Sequence, residues 1–364
     1  MSRAPSPASS PHTPAAATDA SAPPPLRALL TGLIDYAGLF PPAKLPVAAA
    51  VENYARYIKG PHCWMLGRFI CPVSRLEEFR AAAQRLLPGV DDVVEVSAPD
   101  DTDEALPHHG ASRIPPDDAY PGWRLSALID GDLEENLDAI FAFNHEHERP
   151  ERGLALIDAV ELKPASPAAI EGALDAIPDE IYPFFELPAT SDIRGWLAAL
   201  AGGEAGAKIR TGGVTPDAFP PPRAVAEFIA ACHAAEVPFK ATAGLHHPIR
   251  AEYRLTYEPD SPRGVMHGFL NVFLAAAFIH HRKIDAEGAT RLLEERDAGA
   301  FTFTAESVRW QNHELAPWQV EQARRDLALS YGSCSFEEPV EDLTRLGLLG
   351  PAAAPGGDAC KDRG

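Results

Sequence analysis

The tightest constraint in this sequence is the regular alternation of short apolar runs with helix-patterned segments, the arrangement that parallel βαβ units require. The runs fall at 65–72 (MLGRFICP), 123–130 (WRLSALID), 155–164 (ALIDAVELKP), 181–188 (IYPFFELP), 207–213 (AKIRTGG), 238–244 (PFKATAG), 300–305 (AFTFTA) and 327–335 (LALSYGSCS). Between them, helix signals recur. Ser74 and Glu77 have capping-box spacing ahead of Leu76, Phe79 and Leu86, and Ser166 precedes Pro167 with Ile170, Leu174 and Ile177 on one face. Ile193, Trp196, Leu197 and Leu200 form one apolar stripe, and Val225, Phe228, Ile229 and Cys232 form another. Such a pattern suits a closed barrel or a doubly wound sheet. Eight runs make an α/β chain with a (β/α)8 TIM barrel the expected fold.

Two regions fit the repeat badly. The polar, Pro-rich stretch near 98–122 reads as a surface insertion, with VVEVS just before it as a candidate extra strand. The long segment 246–297 has room for a lid or two helices, and its most apolar part, from Phe269 to Ile279, reads as a core helix interrupted by Asn271. The barrel is therefore expected over 27–350. Residues 1–26 and 351–364, rich in Pro, Ala, Ser and Gly, are expected to be disordered tails.

Composition narrows the function. A chain of 364 residues that is 46% hydrophobic can bury a large core, and a formal net charge of −20 argues against a surface for nucleic acid or anionic lipid. No window reaches the roughly 18 consecutive apolar residues of a membrane span. Five cysteines without CxxC spacing suit a reducing, cytoplasmic setting. A small-molecule partner is expected, with no nucleic acid and no membrane, and a homo-oligomer is compatible with the sequence.

In a parallel barrel, chemistry sits at the C-terminal ends of the strands. Those ends carry Asp158, Glu161 and Lys163, then Glu186, then Lys208 and Arg210, then Lys240 and Thr242. Alternation puts Lys208 and Arg210 on one side of their strand, and Lys240 and Thr242 on one side of theirs. A single strand lysine is as readily an ion-paired or snorkelling side chain. Two on adjacent strands suggest Schiff-base chemistry, because mutual repulsion favours a neutral amine able to attack a carbonyl.

The residues around these lysines resemble the class I deoxyribose-phosphate aldolases. Lys208-Ile209-Arg210-Thr211-Gly212 is similar to that family's Schiff-base strand, and Phe239-Lys240-Ala241-Thr242-Ala243-Gly244 to the strand that follows it. Ile157-Asp158-Ala159-Val160, Phe184-Phe185-Glu186-Leu187-Pro188, the opening stretch from Leu33 to Pro41 and the closing Gly332-Ser333-Cys334-Ser335 resemble further family motifs, in the same order. The resemblance implies Lys208 as the Schiff-base lysine, Lys240 as the amine that perturbs it, and Asp158 as the acid/base. It further implies Asp35, Glu186 and Thr211 in the polar substrate network, and Ser333, Ser335 and the loop at Gly244 where a phosphate binds.

Departures bear on the substrate. Arg210 replaces a small family residue and is suited to a carboxylate or phosphate. Leu245-His246-His247-Pro248 is bulkier than the family turn, and Glu337 and Glu338 oppose an anion near Ser333. His246 is the histidine best placed to touch substrate. The expectation is a class I aldolase-like lyase acting on a small aldehyde, ketone or sugar-type carbonyl compound without a cofactor. The alternatives are a metal-dependent barrel hydrolase or isomerase using Glu161, Glu186 and His246, and a non-catalytic barrel. Cys334 reads as a small buried residue rather than a nucleophile, since no histidine is near it in sequence.

Overall fold

The computed structural model describes residues 22–89, 120–189 and 192–350. Eight parallel strands close into a barrel: β1 (Ile34–Tyr36), β2 (Leu66–Pro72), β3 (Trp123–Leu128), β4 (Ala155–Leu162), β5 (Tyr182–Leu187), β6 (Gly206–Arg210), β7 (Phe239–Thr242) and β8 (Ala328–Ser333). Each pairs with its neighbour in chain order, and β8 returns to β1 with Asp35 opposite Gly332. The fold is an α/β (β/α)8 barrel. No helix among the described residues is long and apolar enough to cross a membrane.

Two-residue alternation divides the barrel wall into two surfaces. The outward set, including Tyr36, Phe69, Val160, Phe185, Ile209, Phe239 and Tyr331, belongs to one continuous core shared with the surrounding helices. Inside the barrel a small separate cluster of Ala159, Tyr182 and Phe184, with Leu329 against it, forms an apolar plug. Apart from Ile70, which lies beside Gly332, the remaining inward side chains are mostly polar, and they form the site described below.

One of the eight expected strands lies elsewhere. Phe301–Phe303, expected in the barrel, instead pairs antiparallel with Val308–Trp310, which pairs in turn with His313–Leu315. The cause is visible in its side chains, because Phe301 is buried and Thr302 exposed, as suits a sheet wetted on one face rather than a wall buried on both. Its place is taken by β1, three residues with an aspartate at the centre, too short to register as an apolar run.

Helix starts met the expectations unevenly. Ser166 caps helix Pro167–Ala176 through its bond from the amide of Ala169, and the stripe Val225, Phe228, Ile229 and Cys232 is buried on helix Pro222–Ala234. Ser74 caps nothing. Its amide and hydroxyl both bond to the carboxylate of Asp130 after β3, and helix Leu76–Ala83 begins without a side-chain cap. Segment 246–297 holds an antiparallel ribbon, Ala251–Arg254 with Arg263–Met266, followed by helices Phe269–His280 and Ala286–Glu294. The first of these helices is buried throughout 269–279. Asn271 is satisfied there by accepting from Arg250 N and donating to the carbonyls of Leu292 and Glu295. Residues 90–119, including VVEVS and most of the expected insertion at 98–122, lie outside the described residues, as do 1–21 and 351–364.

The N-terminal boundary set at residue 26 falls inside a packed element. Helix Pro24–Leu30 buries Leu26, Leu29 and Leu30 against helix Pro317–Asp326. Arg324 fastens the join, donating from Nε to the carbonyl of Leu29 at 2.9 Å and from Nη2 to that of Thr31 at 3.0 Å. Leu26→Ala is therefore expected to lower the free energy of unfolding by about 2 to 5 kcal/mol, the range for truncating a buried leucine. Urea unfolding checks this, and a change near zero would show the helix to be dispensable.

Candidate active site

The inward polar residues meet around Glu161, whose two carboxylate oxygens each hold one lysine. Oε2 lies 3.0 Å from Lys208 Nζ and Oε1 lies 2.7 Å from Lys240 Nζ, with the Ser126 hydroxyl donating to Oε1 at 3.0 Å. Each lysine has a second carboxylate. Lys208 Nζ is 3.0 Å from Glu186 Oε2, and Lys240 Nζ is 2.7 Å from Asp35 Oδ2. Asp35 is held by the Ser330 hydroxyl at 2.8 Å and by the backbone amide of Arg68 at 2.8 Å. Register explains the assembly, because Lys208 stands opposite both Lys240 and Glu186, and Lys240 opposite Ser330. Gly67 is required beside it, since a Cβ there would come within 2.4 Å of Asp35 Oδ1.

This arrangement overturns the expected electrostatics of the lysine pair. The sequence reading had the two ammonium groups repelling each other into a neutral form, whereas Glu161 sits between them and pairs with both. Burial alone would lower the pKa of Lys240, but the charges of Asp35 and Glu161 and the hydrogen bonds it donates to them more than compensate, and its pKa is raised. Burial would likewise raise Glu161 and Glu186, yet the lysines hold both below the usual carboxylate range. Lys240 is a fixed ammonium, stacked over the Phe184 ring at 5.1 Å.

Asp158 is placed otherwise than the acid/base expectation required. Arg68 grips it from Nε at 2.6 Å and Nη2 at 3.0 Å, and Arg124 from Nε at 2.6 Å. Burial is outweighed by the two guanidinium groups, so its pKa falls and it stays a bound anion. A register shift explains its direction. Leu125 pairs with Ile157 and Ser126 with Ala159, leaving Asp158 as the extra residue of a bulge, so that Asp158 and Glu161 both turn inward despite an odd spacing.

The other expected substrate contacts divide. Glu186 joins the lysines, and Arg210 stands two residues beyond Lys208 on the same face, about 7 Å nearer the mouth. Its Nε lies 3.3 Å from Glu186 Oε1 and its side chain is 53% exposed. Thr211 instead braces the next loop, donating to the carbonyl of Ala243 at 2.6 Å. Gly244 has φ +75, and a Cβ on it would come within 2.8 Å of Gly212 Cα, so the loops after β6 and β7 touch backbone to backbone. Ser333 donates to the carbonyl of Ser335, and Ser335 Oγ accepts the amide of Glu338 at the start of helix Glu337–Arg345. These hydroxyls serve their own loop rather than an open phosphate cradle.

His246 and Cys334, unconnected in the sequence reading, meet beyond the ends of β7 and β8. His246 Nδ1 lies 3.0 Å from Glu338 Oε2 and 3.9 Å from Cys334 Sγ, and Tyr257 Oη donates to Glu338 at 3.1 Å. Burial disfavours charge on His246, but its bonds to Cys334 and Glu338 prevail and raise its pKa to about 10. A cavity of about 300 Å³ opens beside it, lined also by His247, Tyr253 and Tyr257. Glu161 and Glu186 share Lys208, whereas His246 is committed to Glu338 and Cys334. Among the described residues no three His, Cys, Asp or Glu side chains group as metal ligands.

Ser126, Ser330, Arg68 and Arg124 were missed by sequence reading. Their signal was present in the two-residue alternation of Arg124 and Ser126 along WRLSAL, and in the isolated Ser330 of ALSYGS. Fold and site together define a (β/α)8 barrel with a buried lysine–carboxylate network across its centre. Compared with known proteins, no family model, no curated protein and no solved structure matches the chain.

The network sets the pH response. Carboxylates held low, namely Asp158, Glu161 and Glu186, stabilise the fold fully above the free carboxylate pKa, near 4, and lose that contribution as pH falls through their folded values. Lys240, held high, contributes below the free lysine pKa, near 10, and loses its contribution as pH rises through its folded value. Urea midpoints should thus plateau around neutrality and fall on the acid side. Glu161→Gln should cost about 3 kcal/mol or more at pH 7, because both buried ammonium groups lose their shared partner, and should make the acid fall shallower. An unchanged midpoint and slope would contradict the pairing.

Proposed function

We propose that the chain is a lyase of the class I aldolase type that binds a small carbonyl substrate as an iminium ion on Lys208. The observation that carries this reading is the amine of Lys208, held by two carboxylates at the C-terminal end of a parallel barrel, beside a second lysine fixed as an ammonium. Two protons of the Lys208 ammonium pass by way of Glu161 or Glu186 to the substrate's carbonyl oxygen as the nitrogen adds to the carbonyl carbon, the oxygen leaves as water, and the iminium remains with both carboxylates ionised. Ammonium and iminium carry the same charge. The buried carboxylates therefore keep a cationic partner before and after the covalent step, which avoids the large cost of an unpaired buried charge.

Cleavage of a carbon–carbon bond then needs a base for the departing hydroxyl proton. The electron pair of the breaking bond flows into the iminium to give an enamine, an aldehyde leaves, and the proton passes to a carboxylate. Glu186 and Glu161 suit this role by contact with Lys208, and they replace Asp158, which two arginines occupy. Lys240 contributes a permanent positive field that favours electron flow toward the nitrogen. The likeness of the Lys208 and Lys240 strands to deoxyribose-phosphate aldolases supports the same assignment.

Borohydride reduction in the presence of a small aldehyde is expected to leave one adduct, located by peptide mass spectrometry on Lys208. Lys208→Met is expected to abolish it. Equal trapping by that variant and the parent would remove Lys208 from the role.

A further inference from the structure

The geometry points to a substrate that carries a carboxylate next to its reacting carbonyl, an oxo acid, with Arg210 as the residue that holds the acid group. This rests on the Schiff-base reading of Lys208 and names the substrate class it serves. Lys208 and Arg210 share the inward face of β6, and both touch one carboxylate, Glu186, from its two oxygens. An anionic group near Lys208 is thus within the compass of Arg210, which lies on the route from solvent.

Arg210 has donors to spare. Only Nε is engaged, at 3.3 Å, and the two terminal nitrogens bond to nothing among the described residues. Their parallel N–H groups match the two oxygens of a carboxylate. Past β7 on the same side of the barrel, Glu337 and Glu338 stand at the start of the helix after β8, each already paired, with Arg56 at 2.9 Å and with His246 at 3.0 Å. The charges after β8 thus offset one another, while the terminal nitrogens of Arg210 have no partner among the described residues and are the donors left for an acid group.

A phosphate fits this distribution less well. A dianion leaving water needs several donors, and in the loop after β8 that resembles a phosphate cradle the Ser333 hydroxyl donates within the loop, leaving the O–H of Ser335 as its hydroxyl donor. The amide of Glu338 is likewise taken by Ser335, and the Glu338 carboxylate faces the same region. One guanidinium edge is enough for a carboxylate.

The test compares three carbonyl probes by borohydride trapping on Lys208: pyruvate and hydroxyacetone, which are similar in size, and the larger dihydroxyacetone phosphate. The concentration giving half-maximal adduct is read by intact-protein mass spectrometry. Pyruvate is expected to need about tenfold less than hydroxyacetone, the ratio for one charge-assisted pair at a partly wet site. Arg210→Met, whose melting curve verifies its folding, is expected to bring that ratio close to one. Equal values for pyruvate and hydroxyacetone in the parent, a preference that survives in Arg210→Met, or a preference for the phosphate would each overturn the inference and leave the Schiff-base reading standing. Absence of any adduct on Lys208 would overturn both.

Discussion

One carboxylate, that of Glu161, sets the terms for the rest of the barrel interior. Two ammonium groups in a dry space are tolerable only if anions stand against them, and Glu161 meets both while Asp35 and Glu186 complete each pair. The hydrogen-bonding partners reach every strand: Asp35 from β1, the Arg68 amide from β2, Ser126 from β3, then Glu161, Glu186, Lys208, Lys240 and Ser330. Such a network is worth little as net stability against an apolar filling, yet costly to break at any one member. It acts as a statement of register. A slip of one residue on any strand would turn its member away from the centre.

The same network leaves the barrel interior preorganised, because strand register fixes the hydrogen-bonding partners of each buried charge. Below it, Tyr182, Phe184 and Ala159 close the barrel with an apolar plug, and the Asp158 pair with Arg68 and Arg124 forms a second polar group. Around the outside, one hydrophobic core binds the strands to the helices. The acidic character of the whole chain coexists with a centre where cations are held, because the inward residues are chosen strand by strand.

Much of this was legible in the sequence, and the exceptions share a cause. Seven barrel strands appear as apolar runs, and alternation alone places Lys208 with Arg210 and Lys240 with Thr242. What failed depended on pairing between strands distant in sequence. The inward turn of Asp158 comes from a bulge against β3, which alternation along β4 cannot reveal. The charge of Lys240 could not be read from sequence, because register brings Asp35 and Glu161 against it from distant strands. β1 escaped notice because three residues give no periodicity, while Phe301–Phe303 imitates a strand of the right composition in the wrong sheet. The Cys334 and His246 contact joins residues 88 apart, and nothing local announces it.

Barrel closure by β8 against β1 has a bearing on how the chain is made. Ser330 and Asp35 are 295 residues apart, and Asp35 and Lys240 are 205 apart, so the central network is complete only once the chain has extended through β8. Long loops must close before these contacts return anything, which slows assembly. Until then the charged side chains stay hydrated and the strands that carry them share no dry interior. A fragment that stops short of β8 therefore carries both lysines without the closed barrel that holds their carboxylate partners in place.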